Sequence, residues 1–201
     1  MKNNFFTIIA FFGLAAFALS SCSKVPQAEI DAANTAIEQS KLAGAEVYVH
    51  ESFVALQDSM NSVMVNVESQ KSKFFKNYGT AKEQLIGIVT LAENVKQQTE
   101  AKKEEMKAES QTLMTETQTL IESNKQLIAQ APKGKEGAAA LLAIQGENEA
   151  LENALTEAKT LFETGDYMAT LDKVKATKEK ATAINAELTE AFAKFKSKSR
   201  R

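Results

Sequence analysis

The stretch FVALQDSMNSVMVNV (residues 53–67) decides how this chain folds. Its large apolar residues recur at steps of three and four, which is the period of one face of an α-helix. Such a narrow stripe is typical of a coiled coil and is stable only when it packs against another helix. We therefore predict an all-α protein made of helical hairpins in an elongated, coiled-coil-like bundle. The stripe, as predicted, comprises Phe53, Leu56, Met60, Val63, Val67 and Phe74.

A shorter helix precedes this stripe. Pro26 suits the first turn of a helix, because a proline there sacrifices no hydrogen bond. Gly44 lies where the helix should end, and glycine readily adopts the left-handed conformation that closes a helix. A turn is predicted between residues 46 and 51, with His50 at the start of the next helix. The apolar residues that follow Pro26 at helical steps are Ile30, Ala33 and Ile37.

Beyond the stripe, Lys76-Asn77-Tyr78-Gly79 interrupts the helical pattern. Thr80 and Glu83 then have the spacing of a capping box, which predicts a tight turn followed by a new helix. A single helix that runs straight through Tyr78-Gly79 stays open as the alternative. It is favoured by apolar residues that keep the seven-residue phase of the stripe, namely Ala81, Ile88 and Val95.

The helix after this interruption is predicted to be long. Residues 97–109 (QQTEAKKEEMKAE) are nearly all polar and have high helix propensity, so we expect a solvated helical spacer. A helix that continues to Gln130 would make the molecule extended. Its C-terminal part carries a narrow apolar seam, which we predict is presented to a partner helix or to a second copy of the chain. The seam comprises Met106, Leu113, Leu120 and Leu127.

The clearest break in the chain is the proline- and glycine-containing segment 132–137. Two further helical stripes follow, on either side of Thr164-Gly165-Asp166. The predicted organisation is therefore a hairpin with a long helical arm over residues 28–131, a linker over 132–137, and a C-terminal hairpin with a basic tail over 138–201. The tail either stabilises a helix end through its dipole or contacts an anionic surface, such as lipid head groups or, non-covalently, the cell wall. Its basic residues are Lys194, Lys196, Lys198, Arg200 and Arg201.

The N-terminal segment has the pattern of an export signal. Lys2 precedes an uncharged apolar run from Phe5 to Leu19, which is shorter than the roughly 20 residues of a membrane-spanning helix. Leu19-Ser20-Ser21-Cys22 resembles the bacterial lipobox. That resemblance implies removal of residues 1–21 as a lipoprotein signal peptide, attachment of acyl chains such as palmitate to Cys22, and a lipidated tether over residues 22–27.

Two alternatives to lipidation stay open. Ala16-Phe17-Ala18 is an A-x-A-like site for ordinary signal cleavage, which would leave a soluble protein with one thiol. A cysteine at position 22 could also stand there by chance. In lipoproteins that carry a lipobox, an aspartate after the cysteine retains the protein at the inner membrane. Ser23 follows Cys22 here, so the resemblance implies the outer membrane. The predicted location is thus the bacterial cell envelope, with the chain lipid-anchored at the outer membrane.

The stretch from residue 28 to about residue 95 resembles a group of small α-helical bacterial envelope lipoproteins of unknown function. The residues that carry this resemblance are Ala43-Gly44-Ala45, Tyr48, Leu56, Tyr78 and Ala81. It implies a helical hairpin in the periplasm and no defined activity.

The apolar pattern that follows Tyr78 recurs with the same offsets after Tyr167. Both places resemble the turn of tetratricopeptide-like hairpins, in which the tyrosine packs against the preceding helix. Their separation of 89 residues does not indicate a solenoid of short repeats.

The sequence offers little material for catalysis or metal binding. His50 is the single histidine and Cys22 the single cysteine, so no metal site and no cofactor are predicted. The formal net charge of −2 gives no indication of a nucleic-acid partner. The prediction is a non-enzymatic, lipid-anchored scaffold, spacer or protein-protein interaction module. The alternative is a surface-exposed lipoprotein that captures a host or matrix ligand.

Overall fold

The computed structural model describes residues 24–131 and 137–199, with side chains as far as Phe195. It confirms the all-α prediction, because these residues form a helical bundle of six helices without a strand. The chain divides into two compact units between Lys102 and Lys103, inside the longest helix. The helices are α1 Gln27–Leu42, α2 Ala45–Tyr48, α3 His50–Lys71, α4 Gly79–Gln130, α5 Ala138–Glu163 and α6 Tyr167–Ser199.

The first unit packs α1, α3 and the N-terminal part of α4 around one apolar core. The stripe of α3 is buried as predicted, from Phe53 to Val67. It meets a second stripe on α4, and α1 closes the core from the third side. The predicted hairpin therefore gains its stability from three facing apolar faces. The buried contributions of α1 and α4 are Ile30, Ala33, Ala36, Ala81, Leu85, Ile88, Ala92 and Val95.

The predicted turn at Tyr78-Gly79 is confirmed, and the alternative of one continuous helix is wrong. Helix α3 ends at Lys71 and α4 begins at Gly79. Phe74 consequently lies beyond the end of α3, where it is 93% exposed, so its assignment to the buried stripe is wrong. The capping prediction also needs correction. The side-chain oxygen of Asn77, rather than that of Thr80, accepts the N–H of the first helical residue, Gly79, at 2.9 Å.

The link between α1 and α3 is a short left-handed bend followed by one helical turn. Gly44 has φ of 98° and donates its N–H to the carbonyl oxygen of Lys41 at 2.8 Å, which confirms its predicted role at the end of α1. The predicted turn over residues 46–51 contains α2 and the first residues of α3, and His50 begins α3 as expected.

The directions of the helices in the first unit follow from three polar contacts. Near the start of both helices, the Glu29 carboxylate of α1 pairs with the Lys82 ammonium of α4 at 2.9 Å. Further along both, the Ser40 hydroxyl donates to the carbonyl oxygen of Ala92 at 2.8 Å. Helices α1 and α4 therefore run parallel here. Helix α3 runs antiparallel to them, since Asn66 near its end contacts Gln84 near the start of α4.

The second unit packs the C-terminal part of α4 against α5 and α6. We predicted a boundary in the linker at 132–137, whereas the compact units divide at Lys102. The physical reason is that the C-terminal half of α4 carries its own apolar residues, which pack with the last two helices. The buried apolar core comprises Ile121, Leu151, Leu155, Ala158, Val174, Ala181, Ile184 and Leu188.

The turn between α5 and α6 is built as the sequence indicated. Gly165 has φ of 82°, and the Asp166 carboxylate accepts the N–H of Ala169 at 3.1 Å, so glycine ends one helix and aspartate caps the next. The ring of Tyr167 lies 5.3 Å from that of Phe162 on α5, which confirms the expected packing of the tyrosine on the preceding helix.

The recurring pattern after the two tyrosines has the same structural role in both units. The residues 3, 7, 10, 14 and 17 positions after Tyr78 and after Tyr167 are buried in each case. Each unit thus has three long helices, of which the first and third run parallel. In the second unit, Glu109 and Asn124 of α4 contact Lys175 and Ala181 of α6, so these two helices run parallel. Helix α5 runs antiparallel to them, since contacts join Gln118 to Lys159 and Lys125 to Glu152.

Candidate functional site

The chain enters the first folded unit within a few residues of the predicted lipidation site. Cys22, the predicted lipidation site, lies outside the described residues, which begin at Lys24. Val25 already packs against the first core, and Pro26 is buried. The first turn of α1 is then held to α4 by the ion pair between Glu29 and Lys82, whose hydrogen bond lowers the pKa of the Glu29 carboxyl.

Three leucines of the predicted partner seam on α4 pack within the chain. Leu113, Leu120 and Leu127 are half-buried and pack against the core of the second unit. Met106 is half-buried as well. Contact of this seam with a partner helix or a second copy of the chain therefore stays a prediction, and within the chain its leucines pack with α5 and α6.

A row of polar side chains accompanies this seam into the second core, and its burial was not foreseen from the sequence. Ser110, Thr117 and Asn124 are each 0% exposed. The Asn124 amide donates to the carbonyl oxygen of Ala181 at 3.0 Å and accepts from Nδ2 of Asn185 at 2.8 Å. A buried amide without partners would destabilise the fold, so these bonds make the position of α6 along α4 specific.

A second buried amide joins α4 to α5. Nδ2 of Asn148 donates to the main-chain carbonyl oxygen of Ile121 at 3.3 Å. Ion pairs surround this contact, and the Lys125 ammonium lies 2.5 Å from the Glu152 carboxylate, whose hydrogen bond raises the pKa of Lys125. Further pairs join α4 to α6, namely Glu116 with Lys178 and Glu109 with Lys175. Because these side chains are part-exposed, each pair contributes little alone.

An open groove runs between α5 and α6. It encloses about 660 Å³ and is lined by these two helices alone. Alanines form much of its floor, which leaves room above the helix backbones. Charges of both signs stand along it, from Lys173 and Lys180 on α6 to Glu147 on α5. The lining alanines are Ala150, Ala154, Ala176 and Ala183.

The residues that were considered as catalytic or metal-binding candidates make ordinary hydrogen bonds and ion pairs within the fold. His50 is exposed, and its Nδ1 lies 3.2 Å from the carbonyl oxygen of Glu46 one turn earlier. Glu104 and Glu109, on the polar stretch of α4, pair with Lys107 and Lys175. Within residues 24–131 and 137–195, no group of three histidine, cysteine or acidic side chains is arranged to hold a metal ion.

The basic tail is only partly within the described region. Helix α6 extends to Ser199, and the exposed Lys194 pairs with Glu190 at 2.6 Å, which lowers the pKa of the Glu190 carboxyl. This is a contact within one helix. The side chains of Lys196 and Lys198, and both Arg200 and Arg201, lie outside the described part of the chain.

Over the described residues, the fold is an all-α protein in which each of two units packs three long helices, with internal polar contacts and an open groove between α5 and α6. No family model matches the chain, and neither a curated protein nor a solved structure matches it. Among the helices that the structure describes, none is both long enough and apolar enough to cross a membrane.

Proposed function

We propose that this chain is a non-enzymatic, lipid-anchored protein of the bacterial cell envelope that serves as a structural scaffold and protein-interaction module. The observation that carries this proposal is the short distance along the chain between Cys22 and the first folded unit. Val25, only three residues later, already packs against the core. Three extended residues span at most about 11 Å, so acyl chains on Cys22 would hold the unit close to the lipid head groups.

The scaffold role is supported by the way in which the helices pack. Helix α4 has 52 residues and contributes side chains to both cores, and its exposed faces are rich in charge. A long helix shared by two cores, with charged exposed faces, suits spacing and attachment. The outer membrane is the proposed location, because serine rather than aspartate follows Cys22.

Metabolic labelling with an alkyne-tagged fatty acid tests the anchor. The wild-type chain, expressed in bacteria, should carry the label and sediment with membranes, and Cys22→Ala should lose the label. Ser23→Ala is the matched control, since it alters the neighbouring residue and keeps the thiol. An unlabelled wild-type chain, or a labelled Cys22→Ala chain, would overturn the proposal.

The second candidate function is capture of an external ligand by the same anchored chain at the cell surface. The open groove between α5 and α6 favours it, because the alanine floor is accessible from solvent. Protease treatment of intact cells separates the two candidates. Cleavage of the chain before the cells are opened supports the surface-exposed module, and survival until the outer membrane is permeabilised supports the periplasmic scaffold.

A further inference from the structure

Two adjacent aromatic side chains project into solvent from the connection between α3 and α4. Phe74 is 93% exposed and Phe75 is 86% exposed, and their rings meet edge to face with centroids 5.0 Å apart. Exposure of a phenylalanine ring to water is unfavourable, and an exposed apolar patch marks a surface that contacts another protein or a membrane. We refer to residues 71–76, KSKFFK, as the basic-aromatic loop.

The exposure of these rings follows from a well-defined backbone. Tyr78 is 3% exposed and fixes the end of the connection in the first core. Asn77 forms two bonds around it: its side-chain oxygen accepts the N–H of Gly79 at 2.9 Å, and its own N–H donates to Oε1 of Gln70 at 3.4 Å. Both phenylalanines are therefore held outward by the contacts on either side of them.

The loop lies at the end of the first unit where the N-terminal segment joins it. The pair between Glu29 and Lys82 places the first turn of α1 beside the first turn of α4. The basic-aromatic loop leads directly into that turn of α4, and Cys22 precedes α1 by only a few residues. A lipid on Cys22 would therefore bring this end of the unit, with both phenylalanines, to the membrane surface.

The charge of the loop fits an anionic surface. Lys71, Lys73 and Lys76 flank the two phenylalanines, and no acidic residue occurs from position 69 to position 82. Lys71 pairs with Glu68 at 2.5 Å. Lys73 and Lys76 are the lysines directly next to the two phenylalanines in the sequence. Lysines beside exposed aromatic residues suit the interface of a bilayer, where apolar rings enter among the head groups and ammonium groups contact lipid phosphates.

We propose that the basic-aromatic loop is a second membrane contact, in which Phe74 and Phe75 insert into the interfacial layer of an anionic bilayer and the flanking lysines bind its phosphate groups. The position of the loop at the membrane rests on the proposed anchor at Cys22, whereas the chemistry of the contact rests on the residues of the loop alone. The lysines favour lipid over a protein partner, and so does the position of the loop at the same end of the unit as the first turn of α1.

The absence of tryptophan from the whole sequence allows a direct test. Phe74→Trp, in the full-length protein isolated with its anchor, is reconstituted into vesicles of phosphatidylcholine with a minority of phosphatidylglycerol. The matched control is Leu42→Trp, since Leu42 is 78% exposed and lies at the opposite end of α1. The indole of the Phe74→Trp variant should show a blue-shifted emission and several-fold stronger quenching by brominated lipid than the indole of the control. Adding Lys73→Gln and Lys76→Gln should weaken the quenching in anionic vesicles.

Flotation of the same samples with the vesicles reports the anchor separately. A Phe74→Trp chain that floats while its indole is quenched no more than that of the control overturns the loop contact and leaves the anchor intact. A chain that does not float, but whose indole is quenched when excess vesicles are added, supports the loop contact and overturns the anchor. An unquenched indole together with a photo-crosslink from position 74 to one protein in cells would assign the loop to a protein partner and overturn the lipid contact.

Discussion

The buried amide of Asn124 donates to the main-chain carbonyl oxygen of Ala181 at 3.0 Å and so joins α4 to α6. In the first unit, the Ser40 hydroxyl makes the corresponding bond to the carbonyl oxygen of Ala92 at 2.8 Å. Ala92 and Ala181 each lie fourteen residues after the tyrosine that precedes their buried stripe. Both units therefore use a buried polar side chain of the first helix to set the register of the third, in addition to apolar packing.

Replacing Asn124 by alanine should lower the free energy of unfolding by about 1–3 kcal/mol. The variant loses the bond to Ala181, leaves the Asn185 amide without its Oδ1 acceptor, and opens a small cavity. Urea unfolding followed by circular dichroism measures the change. Gln126→Ala is the control, because Gln126 is exposed on the same helix. Equal effects of both substitutions would refute a stabilising role for the buried amide.

The core of the first unit can be tested with two neighbouring residues. Leu85 is fully buried, whereas Ile86 is 60% exposed. Leu85→Ala should cost about 2–5 kcal/mol, because it removes apolar contacts and leaves a cavity. Ile86→Ala should change the stability by about 0.5 kcal/mol or less. Thermal and urea unfolding of both variants measure the contrast, and similar losses would show that α4 presents a different face to the core.

Two glycines should respond to alanine in opposite directions. Gly44 has φ of 98°, where a Cβ atom is strained, so Gly44→Ala should destabilise the first unit by about 1–2 kcal/mol. Gly87 lies inside α4, and a Cβ atom added there would meet no neighbouring atom within 4 Å. Gly87→Ala should therefore stabilise the helix by about 0.5–1 kcal/mol. Differential scanning calorimetry should show opposite shifts of Tm, and shifts of the same sign would contradict the assigned backbone conformations.

The ion pair between Glu29 and Lys82 predicts a dependence of stability on pH. The hydrogen bond from Lys82, together with one from the main chain of Glu29, lowers the pKa of this carboxyl in the folded state. The stabilisation is therefore present above the pKa of the unfolded chain and is lost as the pH falls through the lowered folded value. An NMR titration of the Glu29 carboxyl should show its pKa rising in Lys82→Met and unchanged in Lys41→Met. No rise in Lys82→Met would exclude the pair in solution.

The sequence predicted most of the helices because their apolar residues repeat with a clear period. The stripe from Phe53 to Val67 and the glycine turn at Gly44 follow from local rules alone. Phe74 was misassigned because it keeps the seven-residue phase of the stripe, whereas the helix had already ended at Lys71. A seven-residue repeat places residues on the same helix face only as long as the backbone stays helical.

The surfaces of the second unit were harder to predict, since they depend on contacts between distant parts of the chain. The seam with Leu113 and Leu120 was predicted to face another helix, and spacing alone could not identify α5 and α6 as helices that pack against it. The sequence did not indicate that Asn124 is buried, because polar residues at seam positions are equally consistent with a solvated helix. Its burial depends on one acceptor and one donor on α6, the Ala181 carbonyl and the Asn185 amide, that only the fold brings within reach.

The most direct test of the lipid-anchor proposal is the intact mass of the full-length protein extracted from bacterial membranes. The proposal predicts a chain that begins at Cys22 and carries the added mass of acyl chains, with fragmentation placing that mass on the first residue. A chain that begins after Ala18 with an unmodified thiol, or one that still begins at Met1, would contradict the proposal. Either of those results would leave the two helical units without their anchor at Cys22.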